Sequence, residues 1–272
     1  MNDKKIVLFV NDSIYSYLLS KQLINTHHDK IALIIFSEGT TSSFKKIFSI
    51  FNKASKKYFF YRVFVQILSK ILYKNKSVSY LSDQYNIDKY YVNNTNAIID
   101  RIDENRVAFA FNFDLIVSRN VLNKFKNGVF NIHASKLPKD KGISPVLWAF
   151  ARGDNTIWST IYKMDAGIDT GLILKQFPIK IKKDDTSFSL YERVCIESGS
   201  ELSGLINKII TGNITLSKQE DNVSNYFSWP DKKFSLMMQK SNRKLIKFRD
   251  IINFTKNEHN LTLTREDKEN KV

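Results

Sequence analysis

Residues 5–36 read KIVLFVNDSIYSYLLSKQLINTHHDKIALIIF. Lys5 to Val10 is a strand pattern, continuously apolar after its lysine, Ser16 to Ile24 carries helical spacing, and Lys30 to Phe36 reads as a second strand, likewise apolar after its lysine. The spacing predicts a β-α-β opening. Further along, Val107 to Phe111 and Gly128 to Ile132 read as strands with a helix over Arg119 to Phe125 between them. Trp158 to Met164 and Leu172 to Ile181 read as a strand pair, Ser187 to Gly212 as a long helix, and Ile214 to Leu216 as a short strand. The fold class is therefore α/β: a mostly parallel sheet with flanking helices and a short C-terminal extension. Ligands of such sheets gather at the carboxyl ends of the strands. No glycine-rich dinucleotide or phosphate-loop fingerprint follows the first strand, which argues against a nicotinamide enzyme or a nucleoside triphosphatase.

With 272 residues and 43% apolar content, the chain can bury a sizeable core. A single cysteine, Cys195, excludes an intrachain disulfide framework and a cysteine-rich zinc site, which suits a reducing compartment. No apolar run reaches membrane-spanning length, and MNDKKIVLFVND reads as a first strand rather than a signal peptide. A cytoplasmic location is expected.

The chemistry concentrates in Phe130 to Gly171, FNIHASKLPKDKGISPVLWAFARGDNTIWSTIYKMDAGIDTG. Asn131 and His133 are two apart, so on a strand their side chains share one face. Asp169, in a Gly-Ile-Asp-Thr-Gly turn, can join them only through folding. Moving a formyl group to an amine builds an anionic oxygen that an Asn amide can hold. The attacking amine loses a proton and the leaving nitrogen gains one, which suits His133. A carboxylate beside it would orient the imidazole and favour its charged form. No metal is required.

These residues resemble the catalytic core of the folate-dependent formyltransferases. That family carries Asn-x-His, Ser-x-Leu-Pro, Gly-x-x-Pro and Asp-x-Gly-x-Asp-Thr-Gly in order, here Asn131 and His133, Ser135 to Pro138, Gly142 to Pro145, and Asp165 to Gly171. The resemblance implies a Rossmann-like formyltransferase fold, Asn131, His133 and Asp169 as the catalytic trio, and N-10-formyltetrahydrofolate as donor. It also implies a folate site on the strand and loop before Asn131: Phe109, Phe111, Asn112, Phe113 and Leu115, with Asp165 shaping the later loop. Ser135, Lys136, Lys141, Gly142, Ser144 and Pro145 fall to the acceptor side. Lys141 stands where the family carries Arg, and it keeps the charge without the planar fork.

A formal charge of +15 raises the question of tRNA. The stretch after Ile181 is shorter than the C-terminal barrel of the methionyl-tRNA enzymes, and its NYFSWP element (225–230) is similar to a segment of the small sugar N-formyltransferases. Nucleic acid is therefore not expected. The resemblance instead implies a nucleotide-linked amino sugar as partner, foremost a dTDP-4-amino-4,6-dideoxyhexose for O-antigen or other surface polysaccharide, with Tyr226, Phe227 and Trp229 as acceptor contacts or as a clamp between tail and core. A methionyl-tRNA formyltransferase with a shortened tail and a non-catalytic binding protein on the same scaffold are the alternatives.

The organisation expected is a catalytic domain over 1–181 with a basic insertion at about 42–80, a helix and small subdomain over 182–254, and a polar, mobile tail over 255–272. Between Gly39 and Ser82 nine lysines and arginines alternate with apolar residues and no acid occurs. Basic amphipathic helices are expected there, serving as a surface for anionic lipid at the inner face of the membrane, as packing on the core, or as a homodimer interface.

Overall fold

The computed structural model describes residues 5–38, 51–72, 76–220 and 225–253. The expected tail 255–272 and the parts of the insertion at 42–50 and 73–75 lie outside the described residues. Strands β1 (Ile6–Val10), β2 (Ile31–Ser37), β3 (Asp88–Val92), β4 (Val107–Phe111) and β5 (Val129–His133) are followed by the two-residue β6 (Lys141–Gly142), then β7 (Thr156–Lys163), β8 (Leu172–Lys180) and the two-residue β9 (Tyr226–Phe227). Seven of them form one sheet in the order β3-β2-β1-β4-β5-β7-β8, and β6 pairs with β9. The first five strands run parallel; β7 and β8 are antiparallel. This is the α/β sheet that the opening repeat implies.

The unbroken apolar runs have a direct cause. Ile6, Leu8 and Val10 enter one buried cluster with the long C-terminal helix, whereas Val7 and Phe9 enter a second cluster on the other face. A strand covered on both sides has no polar phase to show. Phe234, Met238 and Leu245 join the first cluster, so the segment beyond β8 packs on the same core as β1.

The helix expected over Ser16 to Ile24 runs over Ile14–His27, because Ser13 Oγ accepts from Ser16 N at 3.3 Å and starts it earlier. The strand expected at Ile214 to Leu216 does not form. A single antiparallel bridge joins Ile173 and Ser217 there. Other elements lie outside those expected from the sequence. Strand β3 sits at the sheet edge, and its exposure does not alternate. The Pro145–Arg152 helix is buried from Pro145 to Ala151, and the Lys232–Lys240 helix is short.

The Ile14–His27 and Ser187–Ile210 helices cross closely at Gly199, where an added Cβ would lie 2.0 Å from Leu19 O. Gly199→Ala is expected to cost about 3 kcal/mol by overpacking. In thermal unfolding this should read as a fall in Tm of roughly 6–12 °C.

Candidate active site

A cleft of about 530 Å³ opens at the carboxyl ends of β4 and β5 and is closed on one side by the loop after β7. Such a volume suits a small-molecule ligand. Asn131, His133 and Asp169 all line it, together with Asn112, Phe113, Leu115, Gly142, Ser144, Pro145, Tyr162 and Asp165.

Asn131 and His133 lie on β5, and antiparallel pairing with β7 sets Tyr162 directly opposite Asn131. Asn131 Oδ1 accepts from Ile132 N at 2.7 Å, and its Nδ2 donates to the Tyr162 hydroxyl at 3.1 Å. The amide therefore presents its NH2 end to the cleft side, with one N–H uncommitted. The Tyr162 hydroxyl in turn donates to Asp169 Oδ1 at 2.9 Å. Burial first, and then the charge of Asp169, hold this phenol well above its usual range, so it remains a donor.

Asp169 lies in the left-handed region at φ 54°, which a short polar side chain tolerates better than most. Its Oδ2 accepts from Gly142 N at 2.9 Å and lies 3.6 Å from His133 Nδ1. The carboxylate thus ties together two loops and the histidine. Behind it, Gln219 Nε2 donates to the carbonyls of Asp169 (3.0 Å) and Gly171 (2.8 Å). Asp165 Oδ1 accepts from Gly167 N and Thr170 Oγ1, which closes the turn that carries Asp169.

On its other side, His133 Nε2 donates to the carbonyl of Asp140 at 2.8 Å. A carbonyl can only accept, so the neutral ring carries its proton on Nε2 and keeps a lone pair on Nδ1, facing Asp169. Asp140 is itself clamped. Arg152 grips its carboxylate with two bonds of 3.1 and 2.6 Å, and Asn225 Nδ2 adds a third at 2.9 Å.

Other residues singled out in the sequence lie away from the cleft lining. Phe109 and Phe111 are fully buried on the face of β4 that packs with Phe130, so they cannot flank a ring in the cleft. Alternation along β4 turns Ala110 toward the cleft instead. Ser135 Oγ is spent on Lys139 O, and Lys136 stands over the Trp158 ring at 4.3 Å. Lys141 pairs with Tyr226 in the β6–β9 bridge. Phe227 stacks on Trp148 at 4.8 Å, Trp229 takes Arg62 over its face at 5.3 Å, and Tyr226 is exposed. The NYFSWP element therefore packs on the core beside the proline loop.

Tyr162, Asp140, Arg152, Asn225 and Gln219 are not among the site residues expected from the sequence. Tyr162 leaves a trace there as an aromatic on the strand expected at Trp158 to Met164, and Asn225 as the first residue of NYFSWP. Among the described residues no cluster of His, Cys, Asp and Glu could hold a metal ion, and no helix is long and apolar enough to cross a membrane.

A mostly parallel sheet with a cleft at its strand ends, an Asn and an Asp joined through a tyrosine, and a His beside the Asp define an α/β scaffold with a polar site. The chain belongs to the formyl transferase family, whose model matches residues 30–206. It is 36% identical over 155 residues to the bifunctional polymyxin resistance protein ArnA of Wigglesworthia glossinidia brevipalpis, covering 56% of this chain and 24% of that protein. It is 37% identical over 120 residues to the methionyl-tRNA formyltransferase of Clostridium novyi strain NT, covering 44% of this chain and 39% of that one. These matches span less than half of either relative. Among solved structures, WlaRD, a sugar 3N-formyl transferase crystallised with dTDP and 5-N-formyl-THF, superimposes with a TM-score of 0.59 at 23% identity, over 86% of this chain and 71% of that one.

Proposed function

We propose that this chain moves a formyl group from N-10-formyltetrahydrofolate to the amine of a nucleotide-linked amino sugar. The observation that carries the reading is the continuous polar path from Asn131 through Tyr162 to Asp169, ending beside His133 in one cleft. The donor fits the residues present: Asn112 Nδ2 is buried at the cleft wall without a hydrogen-bond partner, and Phe113 and Leu115 supply apolar surface beside it. When bound, N-10-formyltetrahydrofolate supplies the formyl carbon. Asn131 directs its uncommitted N–H at the oxygen on which negative charge develops. His133 accepts the amine's proton at Nδ1, where Asp169 stabilises the imidazolium, and can return it to the departing nitrogen. Gly142 N and the Tyr162 hydroxyl hold Asp169 in place while this happens.

The acceptor reading rests on the NYFSWP element beside the proline loop and on the likeness to WlaRD, crystallised with dTDP, which makes dTDP the favoured nucleotide. The 4-amino-4,6-dideoxyhexose and the surface-polysaccharide destination rest on the family resemblance alone. Identity to a methionyl-tRNA formyltransferase and the charge of +15 favour a second reading, with initiator tRNA as acceptor. Incubation with the folate donor and a panel of dTDP- and UDP-amino sugars, beside methionyl initiator tRNA, separates the two. A mass gain of one formyl group on a sugar supports the first reading. A gain confined to tRNA, weakened steeply by salt, replaces it with the second.

Arg152→Ala is expected to slow transfer about tenfold, because Asp140 loses its bidentate clamp and the carbonyl that fixes the His133 tautomer shifts. The pH–rate profile of the variant should move with the loss. An unchanged profile would reduce Arg152 to a merely structural role.

A further inference from the structure

The Lys56–Leu72 helix is apolar on two opposite sides. Its inner side buries Tyr58, Tyr61 and Val65 in the main core, and Tyr61 meets the hydroxyl of Tyr15 at 3.4 Å. Arg62 turns the same way, over Trp229. Anchored so, the helix presents a fixed outer side. At about 100° per residue, Phe60, Phe64, Ile67 and Ile71 fall on one outward stripe. They are 62%, 43%, 52% and 71% exposed. Two aromatic and two branched aliphatic side chains held in water along three turns are an unusual expense for a single protein surface.

Charge decides what covers the stripe. The same spacing sets Lys56 and Lys57, both exposed, on either side of its first turn, and no acid occurs anywhere from Gly39 to Ser82. A second copy of this face would bring more lysines and no carboxylate from that stretch to answer them. An anionic lipid surface answers both features, with acyl chains for the stripe and headgroups for the lysines. We infer that the outer side of the Lys56–Leu72 helix docks the protein peripherally on anionic membranes. The inference stands independently of the acceptor, since none of these residues lines the cleft.

The test is co-sedimentation of the whole chain with vesicles of phosphatidylglycerol and phosphatidylcholine, against phosphatidylcholine alone. Two lysines at the surface should favour the anionic vesicles on the order of thirtyfold, and high salt should erase the difference. Phe60→Ser with Phe64→Ser should lower binding on the order of tenfold or more, with Tm and formyl transfer unchanged. Lys56→Glu with Lys57→Glu should remove the lipid preference. Equal binding to both vesicles, or none to either, overturns the inference. So does a concentration-dependent dimer that the serine pair dissolves without any vesicle binding, which would assign the stripe to a second copy.

Discussion

Asp169→Asn should lower the rate of formyl transfer about a thousandfold while leaving the fold in place. The substitution is isosteric, and its effect comes from two losses at one carboxylate. Both oxygens of Asp169 accept: Oδ1 from the Tyr162 hydroxyl and Oδ2 from Gly142 N. An amide offers one oxygen and one NH2 in the same space, so one of those donors would meet a donor. The loop must then turn or leave a buried group unpaired, at about 1–3 kcal/mol. The second loss is the negative charge 3.6 Å from His133 Nδ1, the nitrogen that takes up the proton. Single-turnover transfer measures the sum. If the decline sits in kcat, with KM for the donor within a few fold, the residue acts on the proton and not on binding. Activity within tenfold of the starting chain would sink the role assigned to Asp169.

Asn131→Ala should cost on the order of a hundred- to a thousandfold, the range for a lost oxyanion donor. The argument is geometric. Asn131 is held from both ends, its oxygen by Ile132 N and one N–H by Tyr162, so the remaining N–H is aimed without further reorganisation. Alanine removes that donor and also leaves Ile132 N without its side-chain acceptor. A matched Tyr162→Phe variant separates these effects. It keeps the Asn131 amide but removes one of its anchors and one donor to Asp169, so a smaller fall, roughly tenfold, is expected. Should Tyr162→Phe prove as damaging as Asn131→Ala, the tyrosine itself would have to act on the reacting atoms.

The two substitutions probe residues that reach the cleft in different ways. Asn131 and His133 were legible because a strand carries them at a spacing of two, and local geometry alone gives them a common face. Asp169 was legible as a residue type in a turn, but its distance to His133 was not. Tyr162 was hidden among ordinary strand aromatics, since its role depends on the register of β5 against β7. Phe109 and Phe111 show the converse: their side chains face the core, which the sequence of a strand buried on both sides does not announce.

The amino-acid sequence by itself determined the α/β class, the β-α-β opening and the presence of the three reactive residue types, because burial on both faces and the twofold spacing of a strand are local patterns. Tertiary structure decided how those residues are held. The Asp140 carbonyl on His133, the Arg152 and Asn225 clamp behind it, and the Gln219 clasp on the Asp169 loop join segments far apart in the chain. Such contacts exist only after the sheet order and the docking of β9 on β6 have closed the intervening loops. It also decided that the Lys56–Leu72 helix spends one apolar side on the core and leaves the other to solvent, a division fixed by what packs beneath it.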